Sequence, residues 1–102
     1  MSVIPDPDAR THREKSQERR DLVAQAIEQA TANEWLVAIE TNQRLLDASG
    51  QDVEAYNRLG KACAQIGRIP AAQAAYDAAL RIDPDNNIAR RNAARLAELA
   101  EL

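Results

Sequence analysis

The sequence predicts an all-α domain of short antiparallel helical hairpins, and three observations carry that prediction. The first is composition: of 102 residues, 45% are hydrophobic, yet only 3% are aromatic, Phe is absent and Ala is the commonest residue. A core so poor in large side chains must gain its burial through close approach of backbones, which packed helices allow and an Ala-rich sheet does not. The second is periodicity, since apolar residues recur at helical spacing in five stretches. The third is punctuation. Cap residues, Gly and Pro separate those stretches by roughly three to six residues, so consecutive helices must lie antiparallel as neighbours.

The elements follow in order. Residues 1–10 hold Pro5, Pro7 and two Asp, a composition that predicts a flexible N-terminal tail. Thr11 and Glu14 fit a capping box, and nothing from there to about Ala32 breaks a helix. Leu22, Val23, Ala26, Ile27 and Ala30 form its apolar side, while its first two turns are almost wholly charged. Asn33 marks a turn, and a second helix runs through Trp35, Ala38, Ile39, Leu45 and Leu46. Gly50, in Ser49-Gly50, is expected to end it in a left-handed conformation. Asp52 caps a third helix from Val53 to Ile66, which Gly67 closes. Pro70 sits in the first turn of the fourth, where its missing N–H costs nothing, and Asp83-Pro84 stops it after Ile82. Asn86 or Asn87 caps a fifth.

Bulk properties narrow the function classes. A net charge of −3 supplies no overall cationic field to collect nucleic acid. One cysteine, Cys63, excludes an intramolecular disulfide framework and suits a reducing compartment. No apolar run has the length of a membrane span, and the N-terminus lacks a signal-peptide pattern, so the expectation is a cytoplasmic domain with no membrane partner.

Within the third and fourth helices stand Tyr56, Leu59-Gly60, Gly67, Ala72, Tyr76, Ala79 and Pro84, in that order. Their spacing resembles one unit of the tetratricopeptide repeat family, a helix–turn–helix of about 34 residues. The expected roles are Tyr56 as a bulky anchor, Gly60 as the point of close approach, and Ala72 as the small residue facing it. Tyr76 and Ala79 would pack towards the following unit. Shifted back by one period, Tyr56 falls on Leu22, Gly60 on Ala26, Gly67 on Asn33, Ala72 on Ala38 and Ala79 on Leu45. Leu59 falls on Gln25, Tyr76 on Asn42 and Pro84 on Gly50, so the earlier unit is a degenerate copy. Shifted forward, Gly60 falls on Ala94, and one helix remains without a partner, similar to the solvating cap of such arrays. The resemblance implies a short right-handed superhelix. It divides residues 11–102 into a degenerate repeat with an extended first helix (11–50), a well-matched repeat (53–86) and a capping helix (87–102).

Little in the chain can carry chemistry. His12 lies on the charged overhang without a second His or a Cys nearby, so no metal site is expected. Cys63 falls on a face expected to be buried and has no base to activate it. Trp35 reads as a packing anchor, and no Gly-rich loop precedes a helix to cradle phosphate. No catalytic residue and no cofactor are expected, and the chain reads as a non-catalytic interaction module.

In this family the first helix of each hairpin lines a concave groove that receives a partner segment. The resemblance therefore implies Val23 and Ile27 from the first helix, Asn57, Lys61 and Gln65 from the third, and Arg91 and Arg95, with Glu98, from the fifth. Spacing independently supports the Asn57–Lys61–Gln65 stripe. Such a groove is apolar at one end and basic at the other, which suits an acidic peptide with an apolar anchor. The carboxylate clamp by which some members hold chaperone C-termini is not reproduced. Val23 and Ile27 stand where it needs Lys and Asn, Arg58 where it needs Asn, and Ile88 and Asn92 where it needs a Lys–Arg pair.

The alternative is a structural homodimerisation element of a larger regulatory protein. The first helix is apolar on two sides, and its second side needs a cover: a partner, a second copy, or the Val3-Ile4 tail folding back. Leu96, Leu99 and Leu102 also leave the last helix more apolar than solvation requires. Nucleic-acid binding through Arg10, Arg13, Lys15, Arg19 and Arg20 ranks third, because Glu14 and Glu18 interleave with these cations.

Overall fold

The computed structural model describes residues 9–102; most of the expected tail, with Val3 and Ile4, lies outside the described residues. Five α-helices follow one another: α1 (His12–Thr31), α2 (Trp35–Ala48), α3 (Val53–Gln65), α4 (Ile69–Ile82) and α5 (Asn87–Ala100). Extensive packing joins α1 to α2, α2 to α3, α3 to α4 and α4 to α5, the pattern of hairpins stacked in chain order.

The helix ends show why the sequence breaks where it does. Thr11 Oγ1 accepts from the Glu14 N–H at 3.1 Å, Asp52 Oδ1 from Ala55 at 3.0 Å, and Asn86 Oδ1 from Ala89 at 3.0 Å. Helices α2 and α4 start without a side-chain cap, at Glu34 (φ −87°, ψ 69°) and Arg68 (φ −83°, ψ 69°). The preceding turn does the work instead. Asn33 (φ 60°) and Gly67 (φ 80°) take the left-handed conformation. Around them, Glu34 donates to the Gln29 carbonyl at 2.8 Å and Arg68 to that of Cys63 at 2.9 Å. Asn33 and Gly67 donate to Ala30 and Ala64 at 3.1 Å each. These are two Schellman closures of one design, one sequence period apart.

Gly50 departs from expectation. Among the described residues only Gly67 is a left-handed glycine, and α2 ends instead at Ser49, in an extended conformation (φ −152°). Ser49 Oγ accepts from the Gln51 N–H at 3.4 Å, and one period later Asp83 Oδ1 accepts from the Asp85 N–H at 3.3 Å. A short polar side chain that turns the backbone thus stops both helices.

The larger core cluster gathers Ala38, Ile39, Ala62, Cys63, Ala72, Tyr76, Ala79, Ala89 and Leu96, with Trp35, Tyr56 and Leu59 packed against it. A smaller one holds Ala26, Leu45 and Ala55, flanked by Leu22, Val23 and Leu46. Gly60 is indeed a point of close approach, but the facing group is the Tyr76 ring rather than Ala72. A Cβ on Gly60 would lie 2.7 to 2.9 Å from three ring carbons of Tyr76, inside any real contact distance. The equivalent pair in the first hairpin is Ala26 and Asn42, both fully buried. At these positions the first hairpin thus carries a methyl in place of the glycine and a short amide in place of the ring.

Candidate functional site

A groove of about 630 Å³ opens between α3 and α5. Its apolar surface comes from Ala64, Tyr76, Ile88 and Leu96, and its charged rim from Arg58, Lys61 and Arg95, with Glu54 the only acid. Helix α3 presents Glu54, Asn57, Arg58, Lys61, Ala64 and Gln65 to it because steps of three and four residues stay on one helical face.

Four of the residues expected from the sequence, Asn57, Lys61, Gln65 and Arg95, line this groove. Four do not. Arg91 and Glu98 are exposed outside the lining, Ile27 is 53% exposed on α1, and Val23 is half-buried against the smaller core cluster. Arg58, Tyr76, Ile88, Asn92 and Leu96 line it without having been foreseen as ligand-facing. The signal for Arg58 was present, since it lies three residues before Lys61 and so shares its face. Tyr76 carried no such signal, because the Gly60 notch lets its ring serve core and groove together.

The polar groups differ in how firmly they are held. Asn57, 9% exposed, donates through Nδ2 to Asn86 Oδ1 at 3.0 Å, so α3 grips the cap of α5. Its own Oδ1 is buried with no hydrogen-bond partner among the described residues. Arg58 donates through Nε to Asn42 Oδ1 at 2.9 Å, and its Nη1 stands 4.0 Å from Glu54 Oε2. Lys61 Nζ lies 6.0 Å from the centroid of the Trp35 ring, at the outer edge of cation–π range. Burial pushes the Tyr76 phenol above its ordinary pKa, with the nearby charge of Arg95 working against that rise.

Away from the groove, Arg19 on α1 bonds the α3 cap residue Asp52 at 2.6 Å. Each hairpin therefore holds the cap of the next: Arg19 on Asp52, then Asn57 on Asn86. Cys63 is buried, and burial raises its thiol pKa, opposed by Arg68. Such a thiol is a core residue rather than a nucleophile. Among the described residues, no helix is long and apolar enough to cross a membrane.

The sequence model of the tetratricopeptide repeat matches residues 23–87 and, again, 64–101. Both walls of the groove fall inside these matches. No curated protein matches the chain.

Proposed function

We propose a non-catalytic interaction module, proceeding from the fact that this chain belongs to the tetratricopeptide repeat family. Repeats of this family generally mediate protein–protein interactions. In our reading the α3–α5 groove receives an extended or helical partner segment that carries acidic groups beside an apolar anchor. One observation carries this: three cations, Arg58, Lys61 and Arg95, rim an apolar floor in a chain whose net charge is negative. An apolar side chain would fill the floor, while the cations would steer and orient its acidic neighbours.

Titration with an acetylated hexapeptide of alternating Leu and Glu, followed calorimetrically and through the single Trp35, tests this reading. Lys61→Glu combined with Arg95→Glu should abolish binding, and added salt should weaken it in the wild type. Arg91→Glu serves as a control and should change affinity little. Equal affinity in the Lys61/Arg95 variant would sink the groove.

A second reading rests on Ile27, Leu36 and Val37, which are all exposed on the first hairpin. They would form a homodimer contact between two copies. Light scattering over a concentration series decides it, because a strict monomer at high concentration excludes the dimer.

A further inference from the structure

We propose that Asn42 is a positioning residue that aims Arg58 into the groove, and that Arg58 thereby becomes the fixed cation taking the carboxylate of an acidic peptide. The inference rests on the groove reading above and names the residue pair that gives the groove its charge preference.

Asn42 is 1% exposed, and its amide can point only one way. Nδ2 donates to the Ala38 carbonyl at 2.8 Å, while Oδ1 accepts from Arg58 Nε at 2.9 Å. Reversing the amide would set oxygen against oxygen and N–H against N–H, so both bonds lock the same orientation. Arg58 spends its Nε on this bond and keeps its two terminal nitrogens for the groove that it lines. Their nearest acid is Glu54, whose side chain is 84% exposed at 4.0 Å, a weak partner that a desolvated ligand carboxylate can displace.

The other two cations of the rim are less constrained. Lys61 and Arg95 are both exposed, so a ligand must order their long side chains on binding. Arg58 has already lost that freedom in the fold, its side chain being 19% exposed. A planar guanidinium also offers parallel N–H groups that match a carboxylate, which an ammonium does not. One period along the chain, Asn42 is replaced by Tyr76 and Arg58 by Asn92. The latch at the α2–α3 junction is therefore not repeated at the α4–α5 junction.

Two acetylated hexapeptides, alternating Leu with Glu and Leu with Gln, read out the charge preference directly. The wild type should favour the Glu peptide about tenfold, as a charge-assisted pair requires. Asn42→Leu should bring that ratio close to one with the affinity for the Gln peptide kept. Glu54→Gln should raise the ratio. The Arg58 Nε–H should give a protected nitrogen-15 NMR signal that Asn42→Leu abolishes. Should Asn42→Leu not fold, Arg58→Gln replaces it and must remove the same preference. Equal losses on both peptides, or an unchanged ratio, overturn the positioning role. Wild-type binding without any Glu preference overturns the anchor but leaves the groove, whereas binding of neither peptide overturns both.

Discussion

The two hairpins solve one packing problem with opposite residue pairs. In the second, Gly60 gives up its side chain so that the Tyr76 ring can lie against the α3 backbone, and the ring then supplies both core and groove floor. In the first, the equivalent positions hold Ala26, which keeps its methyl, and Asn42, which turns its amide to Arg58 on the next hairpin. The backbone scarcely notices the exchange, since the turns, their left-handed residues and the uncapped starts of α2 and α4 correspond one period apart. A repeat can thus wear away in its side chains while the backbone of its turns persists.

The largest effect should come from emptying the second pair. Tyr76→Ala is expected to cost about 3–5 kcal/mol in urea unfolding, as large aromatic truncations in cores do. Asn42→Ala should cost about 1–3 kcal/mol, mainly by stranding half-buried Arg58. Equal costs would mean that the two pairs are not alternative solutions to one problem.

Next comes overfilling the notch. Gly60→Ala gains helix propensity but drives a Cβ into the Tyr76 ring, so it should destabilise by about 1–3 kcal/mol. Combining it with Tyr76→Ala should recover much of that loss, a non-additivity that a double-mutant cycle measures. Ala26→Gly, made beside the short Asn42, should cost about 1 kcal/mol of helix propensity and show no such coupling to Asn42→Ala.

The turns give a smaller contrast. Gly67→Ala places a Cβ at φ 80° and should cost about 1–2 kcal/mol. Asn33→Gly at φ 60° should stay within about 0.5 kcal/mol of the wild type, because Asn already tolerates that conformation. Comparable losses at both positions would show that the turns are not equivalent.

The smallest effect is a pH dependence that arises in the second hairpin. Cys63 and Tyr76 are both raised by burial above reference values of 9.0 and 10.0. A raised acid is held neutral in the fold, so its stabilising contribution is complete below the unfolded value and is lost as pH climbs towards the folded one. Stability should therefore fall from about pH 9 upwards, and Cys63→Ala should flatten the first part of that fall in thermal melts.

Much of the fold could be read directly from residues. Thr11, Asp52 and Asn86 cap helices because short polar side chains satisfy free N–H groups locally, and Asn33 and Gly67 turn the chain for reasons held within a few residues. The groove was half legible. The Asn57–Lys61–Gln65 stripe follows from helical spacing alone, but its companions on α5 depend on how that helix rotates against α4. Arg95 reaches the groove lining, whereas Arg91, one turn earlier, does not. Gly50 misled because a glycine after a helix commonly adopts the left-handed conformation, whereas here the Ser49 hydroxyl supplies the turn.

By itself, the sequence determined five helices, their ends, their order and the family to which they belong. Those are consequences of short-range hydrogen bonding and of a repeated pattern of residue sizes. Only the tertiary structure decided that Tyr76 fills Gly60, that Asn42 holds Arg58, and which cations share a groove. Each of these joins residues on different helices, and the outcome turns on a rotation or a few tenths of an ångström that no spacing along the chain encodes.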